Sequence, residues 1–301
     1  MRERAKRSRR LAVQQLETRK LMAVVSYQPA TGEVDLTAKP GEVNHVTLNG
    51  HTYRMIIKDQ GGIEVESTSL DYVVRISSTE IELRNQGVRK VNLDLGDKDD
   101  RVVAGGSTVP TRMMLGIGED VVVSGSKADD YIDGEEGRDD IMGYMGDDIL
   151  IGGPDDDRIR GFSGDNVMYG GLGDDDIAGG NGEDSIYGGP GNDVLNGRGG
   201  ADTMQGGVGN DVLRGGAGGD VMHGGPDRDL FYAKLSGADQ DIEVHGGAGL
   251  DVLYTADLDN VDAVHKIGIE FSAADFLDYW KTNYGTRFTK RDWHDWGNVP
   301  W

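Results

Sequence analysis

The chain has 301 residues, a formal charge of −22, a pI near 4.5 and no cysteine. That balance argues against nucleic acid, whose binders present basic faces, and the missing cysteine removes disulfides, thiolate metal sites and thiol nucleophiles. No apolar run reaches the roughly 18–20 residues that a bilayer-spanning helix needs.

Residues 1–21 are basic and acid-poor, with Arg2, Arg4, Lys6, Arg7, Arg9 and Arg10 ahead of Leu11-Ala12-Val13. Gln14, Gln15, Glu17, Arg19 and Lys20 interrupt the apolar part, so the segment departs from an ordinary secretory signal. The run from Arg9 to Ala23, with Leu11, Val13, Leu16, Leu21 and Met22 at its apolar positions, resembles the leader of exported proteins of planctomycete bacteria.

From 22 to 124 the pattern becomes one of short alternating strands, predicted at 33–38, 43–48, 52–58, 63–66, 72–76, 80–84 and 91–95. Turns fall at Thr31-Gly32, Pro40-Gly41, Asn49-Gly50, Gly61-Gly62 and Asn85-Gln86-Gly87. The segments 93–103 and 115–122 read as degenerate coils, forming a β-rich N-terminal cap on a repeat array. A separate small β-domain is the competing reading.

Between Gly125 and Tyr232 the chain repeats Gly-Gly-x-Gly-x-Asp-x-apolar-x twelve times. Position one is always glycine, position eight is apolar from Ile132 to Phe231, and position six is aspartate except at Asn166. Six residues rich in glycine and aspartate predict a turn, and the remaining three a short strand whose middle residue faces inward. Two nonapeptides then complete one coil. Asp139, Asp157, Asp175, Asp193, Asp211 and Asp229 line one edge; Asp130, Asp148, Asn166, Asp184, Asp202 and Asp220 line the other. Asp155 and Asp227 replace the position-four glycine, which predicts strained turns.

Coils stack roughly 4.8 Å apart, where two bare charges at an effective dielectric near 20 repel by about 3–4 kcal/mol. The array holds 24 acidic against 7 basic residues, so its edges need a cation to close. Ca²⁺ suits them, because it accepts six to eight hard oxygens and the glycine turns expose backbone carbonyls. Twelve inward side chains, one per repeat, are a thin core for so long an array, which makes metal binding the source of the folding free energy.

Residues 233–245 break the frame, and Gly246-Gly247-Ala248-Gly249-Leu250-Asp251-Val252-Leu253-Tyr254 resumes it out of phase. The tail 255–301 holds all four tryptophans, Trp280, Trp293, Trp296 and Trp301. Ser272-Ala273-Ala274-Asp275 predicts a capping box that opens a helix ending near Gly285. The tail is expected to cap the last coil.

On the outer faces, Asp140, Arg158 and Asp176 predict a charge ladder, and Val194, Val212, Leu230 and Tyr232 an apolar strip that meets the tail. Tyr131, Ile149, Ile151, Val167, Tyr169 and Tyr187 form an apolar-aromatic patch on the other face, suited to a partner or a second copy. No His-Glu-x-x-His, Gly-x-Ser-x-Gly or phosphate-loop motif occurs. His223, His245, His265 and His294 show no ligand spacing and read as surface or packing residues.

The array and the detached copy at 246–254 resemble the hemolysin-type calcium-binding family, the RTX β-roll. The resemblance implies an all-β fold: a parallel β-roll, or β-solenoid, with stacked calcium-binding turns, export from the cell, and folding on external Ca²⁺. Four segments are expected: a basic leader at 1–21, the β-rich cap at 22–124, the roll at 125–254 with its insertion at 233–245, and a small mixed cap at 255–301. Several Ca²⁺ ions are expected on Asp130, Asp139, Asp148, Asp157, Asp175, Asp184, Asp193, Asp202, Asp211, Asp220, Asp229 and Asp251. A non-enzymatic structural or adhesive role, secreted or at the cell surface, is the first functional reading. A protein binding or acting on polysaccharide through the aromatic tail is the second.

Overall fold

The computed structural model describes residues 88–233 apart from position 106, residues 243–255, and the strands His265–Ile267 and Phe271–Ser272. Between 23 and 84 it describes the strands, with residues 30–32, 41 and 44. The leader at 1–21 and the tail beyond Ser272, with its tryptophans and expected helix, lie outside the described residues.

Every regular element among the described residues is a strand. Successive nonapeptides alternate between two sheets. Tyr131–Glu136, Ile149–Pro154, Val167–Leu172, Ser185–Pro190, Thr203–Val208 and Val221–Pro226 follow one another in the first sheet. Asp140–Met145, Arg158–Ser163, Asp176–Asn181, Val194–Gly199, Val212–Ala217 and Leu230–Ala233 do so in the second. All these pairs are parallel, and each strand joins the one two repeats further on. Ile132, Leu150, Met168, Ile186, Met204 and Met222 are register partners in one sheet. Ile141, Ile159, Ile177, Leu195, Leu213 and Phe231 are partners in the other. All twelve are fully buried, so the two columns pack against each other as the core.

The strands are longer than the three residues expected. All but the last of them, Leu230–Ala233, run six residues, from position seven through position three of the next repeat, and only three residues are left for the turn. Glycine's poor strand propensity concealed this. At position two the backbone turns left-handed, which glycine allows freely, yet Tyr144 (φ 74°) and Phe162 (φ 78°) occupy that position too. Each such residue carries strain of order 1–3 kcal/mol, and their rings stack at 4.8 Å, which offsets part of it. Asp155 and Asp227 take φ 79° and 83° at position four, the strain their sequence positions predicted.

The stack continues beyond the repeat at both ends. Lys90–Asp94 and Thr111–Ile117 extend the first sheet, Arg101–Val103 and Val121–Ser126 the second, all in parallel. Leu93, Met113 and Ile132 are successive register partners, each step slightly longer than two nonapeptides. Glu33–Ala38 and His45–His51 add one more coil. Antiparallel neighbours follow: Ala23–Gln28 against Glu33–Ala38, and Arg54–Asp59 against His45–His51. In the first sheet Ile63–Glu66 then lies beyond Ala23–Gln28 and pairs with it in parallel. At the far end Glu243–Ala248 and Val252–Thr255 rejoin the sheets after the insertion.

On the outer faces Ile149 and Tyr169 are 40% and 41% exposed, and the Tyr169 and Tyr187 rings stack at 4.9 Å. On the second sheet Asp140, Arg158 and Asp176 stand in register, but Asp176 pairs with Arg160, at 2.5 Å. Among the described residues no helix is long and apolar enough to cross a membrane.

Candidate metal centres along the aspartate ladders

Position six closes each three-residue turn and opens the next strand, so its side chain points into the seam between coils. There each aspartate backbone N–H donates to the Oδ1 of the residue one coil ahead. On one edge the donations run Asp139 to Asp157, Asp157 to Asp175, Asp175 to Asp193, Asp193 to Asp211 and Asp211 to Asp229, at 2.8–3.0 Å. The other edge runs from Asp130 through Asp148, Asn166, Asp184 and Asp202 to Asp220. The two edges expected from the spacing are therefore both formed.

The first edge reaches further than the repeat. Asp100 donates to Asp120, Asp120 to Asp139, and Asp229 to Asp251. Asp100 and Asp120 escaped the nonapeptide count because their coils are longer than two repeats. The signal was still present as Asp100-Arg101-Val102 and Asp120-Val121-Val122, each repeating Asp-x-apolar.

One oxygen of each carboxylate is thus held by a backbone N–H, and the second is not. The Oδ2 atoms of Asp120, Asp139, Asp148, Asp157, Asp175, Asp184, Asp193, Asp202, Asp211 and Asp229 are buried with no donor. Such an oxygen is costly, because an ionised carboxylate can only accept. Burial accordingly pushes the Asp139 carboxyl up to about 8, against the weaker opposing effect of its backbone donor. Asp148, Asp157, Asp193, Asp202 and Asp229 rise to about 7 for the same reason, and Asp120, Asp175 and Asp211 to about 6. Charges on neighbouring coils add to most of these shifts.

The position-one glycines explain where those oxygens point. A Cβ at Gly188 would run into Asp193 Oδ2, and would lie 2.6 Å from the Gly206 carbonyl oxygen and 2.8 Å from Asp193 Cγ. Gly170 meets Asp175 Oδ2 and the Gly188 carbonyl in the same way. Two acceptor oxygens, one carboxylate and one backbone, crowd the same small space at Gly134, Gly152, Gly179, Gly197 and Gly224 as well. Only a donor or a cation reconciles them. Among the described residues no three carboxylate or imidazole side chains converge on one point, so a cation's shell must draw on backbone carbonyls. Hard oxygen donors with an adaptable arrangement fit Ca²⁺ and give a thiolate- or imidazole-seeking ion nothing to bind.

Two rungs solve the problem without a cation. Asp130 accepts from Ser124 Oγ on Oδ2 at 2.5 Å and from the Thr111 N–H and Oγ1 on Oδ1. Asn166 turns its amide inward, donating to Asp184 Oδ1 at 2.9 Å and to the Gly164 carbonyl at 3.0 Å. Outside the buried ladder a second, exposed one runs through position five. Asp147, Asp165 and Glu183 donate their N–H groups to Asp129, Asp147 and Asp165.

The family model for the RTX calcium-binding nonapeptide repeat matches in four copies, over residues 122–148, 142–177, 169–204 and 196–231. The array is an RTX β-roll. The matched residues are a little over a third of the chain, and no curated protein matches the chain. RTX nonapeptides bind Ca²⁺ in their turns, and the buried row of unpartnered carboxylate oxygens fits that chemistry. The chain carries a structural calcium-binding module.

Asn166 offers a direct check of how the RTX ladder works. Asn166→Asp removes the two amide donations and restores an acceptor-only oxygen. Without metal at neutral pH the variant is expected to lose about 1–3 kcal/mol, the cost of a buried unsatisfied group. At saturating calcium it should bind more Ca²⁺ per chain than the parent, measured by equilibrium dialysis with elemental analysis. Unchanged stoichiometry would contradict the assignment of these rungs.

Proposed function

We propose that this chain is a secreted or surface-attached, non-catalytic protein whose RTX roll is set rigid by external Ca²⁺ and serves a structural or adhesive role. One observation carries this: ten buried ladder carboxylate oxygens with no donor, spaced along both edges of a roll whose core is one side chain thick per repeat. We assign the ions to turns closed by Asp120, Asp139, Asp157, Asp175, Asp193, Asp211 and Asp229 on one edge, with Asp251 continuing it. Asp148, Asp184, Asp202 and Asp220 hold those of the other edge, while hydroxyl donors hold Asp130. In each turn the aspartate Oδ2 and position-one glycine carbonyls are the ligands. The metal supplies charge neutralisation at the seams and no reaction chemistry.

Extracellular calcium modules work at roughly 10⁻⁴–10⁻³ M, which leaves such a chain loose inside a cell and ordered outside it. A calcium titration of the purified chain followed by far-UV circular dichroism tests the reading. The strand signal should appear with a midpoint in that range. A midpoint in the nanomolar range would remove the external-calcium switch.

A further inference from the structure

The strands of the first sheet end at position three, on the edge that carries Asp139 to Asp229. Six exposed apolar residues stand there in one column: Pro154, Leu172, Pro190, Val208, Pro226 and Ala248. Leu172 and Val208 are 56% and 53% exposed. The matching column of the second sheet, on the other edge, reads Met145, Ser163, Asn181, Gly199 and Ala217. A continuous apolar column therefore belongs to one edge alone.

The three prolines recur at every second coil. Proline has no N–H to give the neighbouring coil. Register pairing runs through position three from Pro154 to Leu172 and from Pro190 to Val208. It stops at Tyr169–Tyr187 and at Gln205–His223, where the next strand ends in proline. Proline thus weakens the ladder at these places, and what it offers instead is a rigid apolar surface.

The turn residues beside this column carry charge, and carry it unevenly. Position five reads Asp156, Asp174, Asn192, Asn210 and Arg228, running from carboxylates to a cation. Asp156 is paired with Arg138, and Asp174 accepts from the Asn192 backbone and amide on Oδ1. Arg228 forms no ion pair among the described residues. A second copy laid along this edge in the opposite direction is therefore complementary to it.

A two-fold axis midway between the Pro190 and Val208 coils suits both columns. It sets Val208 against Pro190 of the other copy and Leu172 against Pro226, a branched side chain opposite a flat ring each time. Asp174 then faces Arg228, and Asn192 faces Asn210, two amides that both donate and accept. Asp155 and Asp227, the carboxylates at position four, face Gly249 and Gly173 and so meet no like charge. The contact covers six coils, about 24 Å at roughly 4.8 Å per step, and is one turn wide. That makes a small interface and a reversible pairing.

We propose that this edge is a self-recognition surface, on which a second calcium-loaded copy of the chain docks antiparallel along the proline, leucine and valine column. The pairing supplies a partner for the structural or adhesive role, and rests on that reading only in requiring a folded roll.

The test is sedimentation velocity of the full chain in saturating calcium. The dichroism spectrum first confirms the folded roll, so that a failed dimer and a failed calcium switch are told apart. The chain is expected to pass from monomer to dimer as its concentration rises to about 1 mM. Leu172→Lys/Val208→Lys should keep the calcium response and stay monomeric, because both side chains are exposed in the single roll. Ile149→Lys/Tyr169→Lys, on the sheet face, should dimerise as the parent does. Arg228→Asp should weaken the dimer by about tenfold or more, and Asp174→Arg/Arg228→Asp should restore it. The cysteine-free chain also allows a test of direction. Asp174→Cys and Arg228→Cys chains, mixed in calcium with a short bifunctional thiol reagent, should cross-link to each other. Neither should cross-link to itself, since like positions in such a dimer lie three coils, about 14 Å, apart. A folded chain that stays monomeric at about 1 mM, a Leu172→Lys/Val208→Lys variant that dimerises like the parent, loss of the dimer in the sheet-face variant only, or cross-linking within each single cysteine variant would each overturn the proposal.

Discussion

Gly188→Ala is expected to destroy a calcium turn while Gly199→Ala, in the next repeat, leaves the protein almost unchanged. The added methyl at Gly188 collides with Asp193 Oδ2 and sits 2.6 Å from the Gly206 carbonyl oxygen. Neither obstacle is the free end of a flexible side chain. Gly206 is backbone in the next coil, and Asp193 is tethered through Oδ1 to the Asp175 N–H. Overpacking of this kind costs about 1–3 kcal/mol. A lost ion costs about 1.4–2.7 kcal/mol more when calcium stands at roughly 10–100 times its dissociation constant. At Gly199 the nearest atoms to a Cβ lie at 3.8–3.9 Å, ordinary contact, so the change there should stay within about 0.5 kcal/mol. Thermal unfolding in calcium separates the two. Equal melting temperatures and equal calcium titration curves for both variants would mean that the position-one glycine is not a cation cradle.

The second large effect is an exchange between calcium and protons. Nine ladder carboxyls, those of Asp120, Asp139, Asp148, Asp157, Asp175, Asp193, Asp202, Asp211 and Asp229, stand at about 6 to 8 in the folded roll, against an ordinary value of about 4. A carboxyl raised in this way binds its proton more tightly folded than unfolded. The metal-free roll is therefore most stable at or below about pH 4, and its stability falls as pH rises through the 6–8 window. Protonation turns each acceptor-only Oδ2 into a donor able to face the neighbouring carbonyl, the role the Asn166 amide plays permanently. Calcium entering near pH 6–7 must displace those protons. Its midpoint should tighten by about tenfold per pH unit for each proton displaced per ion, and an unbuffered solution should acidify on adding calcium. A metal-free roll that is firm at pH 8 and melts at pH 5, or calcium binding without proton release, would contradict the assignment.

Much of this was legible in the residues because the period is strict. A glycine, an aspartate and an apolar residue at fixed places in nine set the two sheets, the inward columns and both ladders. The fate of each carboxylate was not legible. Sequence gives the number of aspartates, but not that Oδ1 is held by a backbone N–H one coil away while Oδ2 is left to the metal. Nor could it show that Ser124 and Thr111 satisfy Asp130, since those hydroxyls belong to irregular turns before the first full repeat. Strand length was misjudged because glycines at positions one and two read as turn, although their backbone still lies in the ladder. Asp100 and Asp120 were hidden by coils longer than two nonapeptides, where stacking persists although the spacing in sequence does not. The strand Ala23–Gln28 was missed beside the basic leader, where no repeat or turn signal marked it off.

The most direct measurement strips the purified chain of metal with chelator at pH 7.5, records the far-UV dichroism spectrum and hydrodynamic radius, and then restores millimolar calcium. Buried acceptor oxygens with nothing to accept from predict an expanded chain with little strand signal, which contracts and regains its β spectrum on calcium addition and loses both again with fresh chelator. A chain that stays compact, with an unchanged β spectrum and radius, after complete removal of metal at that pH would contradict the account.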